Sequence, residues 1–435
     1  MNQAAESSVS TPAMMKIVLI NYRYFVSGGP ERYMFALADL LEQAGHQVVP
    51  FSVGYALNRQ TPWSPYFAAP IAGDDEVYFR NHTWSPRSVA RGLQRAFYAP
   101  DVYENLRRLV DVAAPDVAFV QHYLRKLSPS VLVALKDAGV PIVVRLSDYG
   151  MVCPEAHLLR RGRVCRLCIE RGLWSSITHR CVQDSYLVSA VACASLAFAK
   201  WRRYFDLVDY FVSPSATLRD EMVLAGYDPC RIVVLPTFVA ADAQPLATRS
   251  RSIVYVGRIS PEKGIDVLVD AYERMTRHPD LADIELIVAG EGGTAYSQRV
   301  VDRAQRTSPG IRFLGGIDGH AVRKLLASAL ISVVPSLSLE NLPNALLESL
   351  AVGTPVIASD LGSMHEVLWN TGAGVLFPPG DSEKLAEHLT AALRSPDKLA
   401  EMGASARLLA KTRYEPQLHL KGLTDLLRMA QGGQH

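Results

Sequence analysis

Short apolar runs alternate with longer amphipathic stretches along nearly the whole chain. The runs are rich in Val, Ile and Leu without regular alternation, which predicts strands that are covered on both faces. Strands that alternate with helices are typical of βαβ units and parallel sheets. The predicted strands of the first half lie at residues 16–21, 47–51, 117–121, 141–146, 210–213 and 232–235, and those of the second half at 252–257, 284–290, 311–314, 330–335, 355–359 and 374–377. The pattern therefore predicts an α/β fold with two parallel sheets.

One stretch of linker composition, residues 240–251, separates the two series of strands. Its small, polar and proline residues favour an irregular connection. We therefore predict two doubly wound Rossmann-like domains, at residues 16–240 and 250–415, followed by a C-terminal helix at 416–435. Residues 1–15 are small and polar and contain no basic residue, so they predict a disordered N-terminus rather than a secretory signal.

Composition and charge exclude several classes of protein. Among 435 residues, 49% are hydrophobic and 20% are charged, as in globular proteins, and the net charge of +2 does not indicate nucleic-acid binding. The longest apolar run, Tyr186–Ala199, is shorter than the roughly 20 residues that a membrane-spanning helix needs. These features predict a soluble, cytoplasmic protein.

Basic residues are concentrated in the first half of the chain. The stretch Met151–Arg203 has nine basic and three acidic residues. Other basic positions are Arg80, Arg87, Arg91 and Arg95, which precede residues 101–112. A solvated helix face is the default interpretation of such positions. The alternative is a surface that meets anionic lipid at the cytoplasmic face of the inner membrane, or a diphosphate-linked acceptor, and the cluster at 200–204 favours it.

The segment at residues 335–366, PSLSLENLPNALLESLAVGTPVIASDLGSMHE, carries two carboxylates eight positions apart. Pro343 is predicted at the first position of a helix. Glu340 then lies in the loop before this helix, and Glu348 lies more than one turn inside it. The loop follows a predicted strand, and open parallel sheets bind their ligands at the carboxyl ends of strands. The free N–H groups of the helix start favour an anion.

Two other loops follow predicted strands and suit a phosphorylated ligand. In VGRISPEKG, Arg258 and Lys263 are five positions apart and match the charge of a pyrophosphate. The alternative is a surface ion pair between Arg258 and Glu262, which is worth little energetically. Gly28 and Gly29 open a helix after the first strand, where they allow a backbone to approach phosphate closely, although a tight turn explains them equally well.

The motifs GGPER, VGRISPEKG, GEG, ENLPNALLE, GTPVIAS and LGSMHE occur in the order seen in glycosyltransferase family 4, which the chain resembles from Lys16 onward. The resemblance implies a GT-B architecture, in which two Rossmann-like domains face each other across a cleft. It implies a retaining, hexosyltransferase-type enzyme that needs no metal for catalysis. Such an enzyme moves a sugar from a UDP- or GDP-linked nucleotide-sugar donor to a glycan or lipid-linked acceptor. By analogy with the family, the expected setting is bacterial surface or exopolysaccharide assembly.

The same resemblance implies roles for individual residues. Arg258 and Lys263 would neutralise the diphosphate, Glu340 would contact hydroxyls of the sugar, and these three are the expected catalytic residues. Glu348 would contact the ribose. The expected positions that bind the nucleotide-sugar donor are Gly28, Gly29, Gly290, Glu291, Asn341, Leu342, Pro343, Asn344 and Glu348.

Two other functions share this architecture. One is a nucleotide-sugar epimerase or hydrolase that needs no acceptor, and the other is a non-catalytic partner protein that keeps the fold. The sequence departs from the family where many members have His-Asp after the fourth strand, because this chain has Ser147-Asp148. Ser147, Asp148 and His122 are the candidates for the sugar and acceptor side, although a histidine satisfied within the structure explains His122 equally well.

Four cysteines, Cys153, Cys165, Cys168 and Cys181, have the spacing C-x11-C-x2-C-x12-C. They lie in an insert at 151–185 that resembles one branch of the family. Their spacing suits a structural zinc site with four thiolates. Free buried cysteines, a redox pair and a disulfide are the alternatives, and a disulfide is rare in the cytosol.

Overall fold

The computed structural model describes residues 14–73, 85–241 and 249–433. The chain forms two compact units. Unit 1 takes its described residues from Met1–Val144, Tyr204–Asp209 and Leu427–His435, and unit 2 takes them from Arg145–Arg203 and Tyr210–Leu426. The boundaries of these units differ from those of the predicted domains at 16–240 and 250–415. The domain boundaries therefore stay a prediction. Most of the predicted disordered N-terminus, most of the linker and Arg80 lie outside the described residues.

The strands of the described ranges agree with the predicted ones to within about two residues. They are β1 (Lys16–Ile20), β2 (Gln47–Phe51), β3 (Val117–Val120), β4 (Ile142–Arg145), β5 (Leu159–Arg160), β6 (Arg163–Val164), β7 (Tyr210–Ser213), β8 (Ile232–Val234), β9 (Ser252–Val256), β10 (Glu285–Ala289), β11 (Ile311–Gly315), β12 (Ile331–Val334), β13 (Val356–Ser359) and β14 (Gly374–Phe377). The short antiparallel hairpin of β5 and β6 was not predicted.

Helices connect these strands. They are α1 (Gly29–Gln43), α2 (Pro86–Phe97), α3 (Pro100–Ala113), α4 (Ser130–Asp137), α5 (Leu167–Glu170), α6 (Ser175–Thr178), α7 (Tyr186–Trp201), α8 (Ala216–Leu224), α9 (Ile265–Met275), α10 (Ala295–Thr307), α11 (Gly319–Ser328), α12 (Asn344–Ala351), α13 (Ser363–Leu368), α14 (Ser382–Leu393), α15 (Pro396–Arg413) and α16 (Pro416–Gly432). Within the described ranges, no helix has the length and apolar content that crossing a membrane requires.

The strands form two Rossmann-like parallel sheets, as predicted. The first sheet has the order β2-β1-β3-β4-β7-β8, and the second has the order β11-β10-β9-β12-β13-β14. Strands β3, β4, β12 and β13 are buried along their whole length, which explains their continuous apolar sequences. In the second sheet, Ile253 and Leu286 pack towards α9 and α14, whereas Val356 and Ala358 pack with residues of α12 and α15.

Each sheet has a point at which the order of its strands reverses. In the second sheet, β10 and β11 lie on one side of β9, and β12 to β14 lie on the other side. The connections after β9 and β12 therefore leave in opposite directions and open a crevice at the carboxyl ends of these strands, where such sheets bind ligands. The corresponding strands of the first sheet are β1 and β3, after which Tyr22 N–H donates to the His122 carbonyl at 3.0 Å.

The arginines before residue 101 were predicted by default to form a solvated helix face, and this prediction is wrong for Arg95. Arg95 is fully buried and donates two hydrogen bonds to Asp101, at 3.0 and 2.8 Å, and one to the Ala69 carbonyl. Arg91 donates to the Pro70 carbonyl at 2.6 Å. The guanidinium group of Arg95 has its partners inside unit 1, because the Asp101 carboxylate and the Ala69 carbonyl replace water that burial removes, whereas Arg91 is only partly buried.

Gly264 sets the distance between the loops that follow β9 and β12. It has a φ of +68°, and a Cβ atom there would lie only 1.9 Å from the Pro335 carbonyl oxygen. The N–H of Leu337 donates to the Glu262 carbonyl at 2.9 Å, which joins the same two loops. Only glycine allows this left-handed backbone and this close approach together.

We predict that Gly264→Ala destabilises unit 2 by about 2 kcal/mol or more beyond the cost of a left-handed alanine. Gly139→Ala is the matched control, because Gly139 has a φ of +69° and a Cβ atom there would meet none of the described residues within 4 Å. The free energy of unfolding from urea titration measures the difference. Equal losses for the two variants would show that the contact with Pro335 does not constrain the loops.

Candidate functional site

The loops after β9 and β12 meet through an ion pair at the reversal point of the second sheet. The Lys263 ammonium lies 2.6 Å from Glu340 Oε1, and the two side chains are 23% and 15% exposed. Ser336 Oγ donates to the same carboxylate oxygen at 2.7 Å. Lys263 and Glu340 are far apart in sequence, so the sheet topology brings these two predicted site residues together.

Glu340 is ionised in this environment. Burial raises the pKa of its carboxyl group, but the Lys263 charge, the hydrogen bonds from Lys263 and Ser336 and the charge of His157 together lower it further, so the pKa lies below its ordinary value. A carboxylate held in this state accepts hydrogen bonds and does not donate a proton. The arrangement therefore suits binding of hydroxyl groups rather than general acid catalysis.

Arg258 forms an ion pair with Glu262, which the sequence pattern indicated as the alternative to a diphosphate contact. Its guanidinium lies 3.2 Å from Glu262 Oε1, and its side chain is 63% exposed. Ser260 Oγ also donates to Glu262, at 2.6 Å, and Tyr255 Oη donates to the Arg258 carbonyl at 2.7 Å. Solvent screens the exposed guanidinium, so its pair with the more buried Glu262 carboxylate is worth little energetically. The guanidinium group is therefore available to an anion at low cost.

Helix α12 begins one residue later than predicted. Pro343 is the N-cap residue, with a ψ of 122°, because its backbone is extended and only Asn344 onward is helical. Glu348 lies inside the helix and is partly buried, as expected. Leu342 and Pro343 are buried, so they shape the loop from inside.

The loop before α12 is held in place from two directions. Ser363 Oγ donates to the Glu340 carbonyl at 2.8 Å. The Asn341 side-chain amide donates to the Ser147 carbonyl. The latter bond puts Ser147 beside the loop of Glu340, within unit 2. It uses the backbone of Ser147 rather than its hydroxyl, whose contacts are with Arg145 at 3.3 and 3.5 Å.

Gly290 follows β10 beside these loops. Its φ is +158°, and a Cβ atom there would lie 1.8 Å from the Gly257 carbonyl oxygen, so the close packing of two loops requires glycine. Glu291 is exposed, and its carbonyl accepts from the Ile259 N–H at 2.9 Å. Asp148 accepts from the Gly150 N–H at 2.7 Å, which is a local turn contact.

Glu366, at the end of the LGSMHE motif, has a structural contact that the sequence did not indicate. Its carboxylate accepts from the Ala216 N–H at 2.9 Å, and from the N–H and hydroxyl of Thr217. The N–H groups of Ala216 and Thr217 are the first of α8 and otherwise have no partner within the helix. Glu366 therefore caps α8, and its negative charge matches the positive end of the helix dipole.

His157 is the site residue that sequence reasoning missed. Its positive charge helps to lower the pKa of Glu340 and of Glu262. It lies between Ala156 and Leu158, which have φ values of +69° and +46°. The Ala156 N–H donates to the Cys153 carbonyl, and the Leu158 carbonyl accepts from the Cys165 N–H. The cysteine insert thus holds a histidine close enough to influence the carboxylates of the site.

The candidates in unit 1 lie at the reversal point of the first sheet. Gly28 is the N-cap of α1, with an extended backbone at a φ of −178°, and a Cβ atom there would have no contact closer than 3.7 Å among the described residues. Neither conformation nor packing within the described ranges requires glycine at this position. Gly29 is the first residue of α1, and His122 follows β3 and packs edge-on against Tyr22.

The four cysteines of the insert influence each other. The hydrogen bond with Cys168 lowers the pKa of Cys153 to about 6, and the same contact raises the pKa of Cys168. However, among residues 14–73, 85–241 and 249–433, no group of three or more His, Cys, Asp or Glu side chains is arranged to hold a metal ion. As placed, the thiols do not form a metal centre, and the structural zinc site stays a prediction from spacing.

Two family models match the chain. The model described as Glycosyl transferase 4-like domain matches residues 28–237, and the model described as Glycosyl transferases group 1 matches residues 240–409. Gly28 falls in the first match. Lys263, Glu340 and Glu348 fall in the second.

Individual proteins are also similar to the chain. The phosphatidyl-myo-inositol mannosyltransferase of Mycobacterium tuberculosis is 30% identical over 410 residues, which cover 91% of each protein. The protein of the same name from Mycobacterium leprae is 34% identical over 166 residues, which cover 38% of this chain and 43% of that protein.

Solved structures show the same fold at lower identity. Sucrose-phosphate synthase from Thermosynechococcus elongatus has a TM-score of 0.67 and 19% identity, and the match covers 95% of this chain and 98% of that one. Anabaena HepE in complex with UDP and glucose has a TM-score of 0.62 and 17% identity, over 95% and 99% of the two chains.

We predict that Glu340→Gln destabilises the protein at neutral pH by about 1–3 kcal/mol, because a charged hydrogen bond is lost. The folded pKa of Glu340 is depressed, so its contribution is present above the unfolded pKa of about 4.3 and is lost as the pH falls through the folded value. The difference in free energy of unfolding from the unchanged protein should therefore shrink below about pH 4. Glu401→Gln, at an exposed position of α15, is the control. A difference that stays constant with pH would contradict the ion pair.

The zinc prediction is tested by atomic spectroscopy of the purified full chain. A four-thiolate site should hold ~1 equivalent of zinc, and Cys165→Ser with Cys168→Ser should remove it, whereas Cys230→Ser at an exposed position should not. Zinc below about a tenth of an equivalent in the unchanged protein, which is near detection noise, would exclude the site.

Proposed function

This chain belongs to the glycosyltransferases of the group 1 and 4-like domains, with a GT-B fold, and we propose that it is a retaining hexosyltransferase. In this proposal it moves a sugar from a UDP- or GDP-linked donor to a glycan or lipid-linked acceptor. The names of its relatives support this choice, since one describes mannosyl transfer and one structure contains UDP and glucose. The proposed setting is bacterial surface or exopolysaccharide assembly at the cytoplasmic face of the inner membrane.

The single observation that carries the proposal is the Lys263–Glu340 pair at the reversal point of the second sheet. Lys263 is the cation proposed to bind the diphosphate, and Glu340 is the carboxylate proposed to bind the sugar. The two groups lie 2.6 Å apart. A nucleotide sugar has both groups in adjacent positions, because its diphosphate is bonded to the sugar. The spacing of the two side chains therefore fits the linkage that the reaction breaks.

The charges support departure of a nucleoside diphosphate. When the bond from the sugar to the diphosphate breaks, negative charge grows on the phosphate oxygens. Lys263, the weakly paired Arg258 and the N–H groups at the start of α12 are positive groups that would stabilise this charge as it develops. Asn341, Leu342 and Asn344 would offer those N–H groups, since proline at 343 has none.

Glu340 would act as a binding group for the sugar. In the unliganded chain its carboxylate is occupied by Lys263 and Ser336. A diphosphate beside Lys263 would compete for the ammonium group, so the carboxylate would become free to accept hydrogen bonds from sugar hydroxyls. Glu348 would hold the ribose in the same way. The acceptor would then attack from the face that the diphosphate leaves, which gives retention.

Further candidates for ligand contact lie outside the Lys263–Glu340 pair. Gly28 and Gly29 stay the candidates from sequence for contact with the phosphates. His122, Ser147 and Asp148 stay the candidates from sequence for the sugar and acceptor side. His157 joins them, because its charge already acts on Glu340.

The proposal is tested first by screening UDP- and GDP-linked sugars for a rise in thermal stability, since a ligand that binds the folded state raises it with concentration. With the donor identified, release of free UDP or GDP is measured with and without acceptor. Glu340→Ala should lower turnover by about 10²–10³-fold, as loss of a preorganised polar group does. Arg258→Ala should weaken donor binding by about tenfold.

Arg312→Ala is the matched control, because Arg312 forms an exposed ion pair with Glu285 in the same sheet, at 3.3 Å. It should leave turnover and donor affinity unchanged. Nucleotide release that is equally fast without any acceptor would favour the epimerase or hydrolase alternative. Unchanged turnover of Glu340→Ala would refute the role assigned to this carboxylate.

A further inference from the structure

Helix α7 has an apolar face that other parts of the described chain do not cover. Its buried positions are Ser189, Cys193, Leu196 and Ala199, which follow helical spacing on one side. On the opposite side, Leu187 is 75% exposed and Trp201 is 74% exposed, and Ala194 and Ala197 are exposed between them.

The exposed side of α7 is unusual for a helix at a protein surface. Such helices carry charged and polar residues on the side that faces water. From Tyr186 to Ala199, α7 contains no charged residue, and serine is its only strongly polar residue type. Large apolar side chains are therefore in contact with water at both ends of the helix, which is about 24 Å long, and exposed alanines lie between them. Contiguous exposed apolar surface of this kind marks an interaction site.

Basic side chains surround the ends of this face. Arg202 and Arg203 are exposed directly after the helix, and the Arg202 guanidinium lies 6.0 Å from the centre of the Trp201 ring. Before the helix, Arg180 lies 5.5 Å from the ring of the exposed Tyr186. Asp184 partly offsets this charge through its pair with Arg180. The surrounding stretch nevertheless has nine basic and three acidic residues, so its net charge is strongly positive.

We propose that the exposed face of α7 lies in the interface of an anionic lipid membrane. Leu187, Ala194 and Trp201 would enter the boundary between headgroups and acyl chains, and Arg202 and Arg203 would contact lipid phosphates. An apolar helical face, an aromatic residue at its end and adjacent basic residues are the combination that binds helices to such surfaces. The helix lies along the membrane and does not cross it, because its 16 residues are too few.

The charge distribution favours lipid over a second copy of this chain. A two-fold contact through α7 would bring basic residues together in either orientation, because Arg202 and Arg203 lie at one end of the helix and Arg180 at the other, and like charges there oppose association. Anionic headgroups neutralise these charges instead. The inference deepens the location given in the proposed function, and it rests on that function only for its biological setting. Its test measures lipid binding separately from sugar transfer.

The test is co-sedimentation of the full chain with vesicles of phosphatidylglycerol and phosphatidylcholine, compared with vesicles of phosphatidylcholine alone. The unchanged protein should bind the anionic vesicles, and added salt should weaken binding. Leu187→Glu with Trp201→Glu should reduce binding by about tenfold or more, and so should Arg202→Glu with Arg203→Glu. Leu408→Glu is the matched control, because Leu408 is an exposed leucine of α15, 63% exposed, and it should bind like the unchanged protein.

Equal binding to both kinds of vesicle, or no effect of the α7 variants, would overturn the proposal. A dimer of the unchanged protein in sedimentation velocity that Leu187→Glu dissociates would also overturn it, in favour of a second copy. Circular dichroism confirms that each variant is folded. Sugar transfer to a short soluble acceptor should stay unchanged in the α7 variants, so loss of lipid binding and failure of the proposed function are distinguishable.

Discussion

The contact between Lys263 and Glu340 is the interaction on which the rest of the site depends. Both side chains are more than three-quarters buried, and each is costly to leave there without the other. They come from loops on opposite sides of the reversal point of the second sheet, so the pair fixes the width of the crevice. Gly264 allows those loops to touch through their backbones, which places the ammonium group within reach of the carboxylate.

The remaining contacts hold the carboxylate in position. Ser336 donates to it, Ser363 holds the carbonyl of the same residue, and Asn341 ties the loop to Ser147. Loss of one of these contacts would move Glu340, whereas Arg258 can move at a lower cost because its side chain is 63% exposed. A carboxylate held by several contacts beside an exposed guanidinium suits a site in which the first group orients a ligand and the second binds its charge.

The fold was largely predictable from the sequence because central strands such as β3, β4, β12 and β13 are buried along their whole length and therefore have continuous apolar sequences. The hairpin at Leu159–Arg160 and Arg163–Val164 has two-residue strands, which are too short to show any periodicity. The burial of Arg95 was not predictable either. A charged side chain is buried only where it has hydrogen-bond partners, here the Asp101 carboxylate and the Ala69 carbonyl. These hydrogen bonds form only in the tertiary structure, so the sequence pattern does not reveal them.

The residues of the candidate site could be predicted from the sequence, but the contacts between their side chains could not. Motifs identified Lys263 and Glu340, but their direct pairing follows from strand order, which spacing alone does not give. His157 escaped detection because it lies among cysteines that suggested a metal, and Glu366 was visible only as the end of the LGSMHE motif although it caps α8. In both cases the sequence shows the residue type but not the groups that surround the side chain in the fold. An ionisable side chain acquires its role from the charges and N–H groups that the fold brings to it, so the Lys263 ammonium decides how Glu340 behaves.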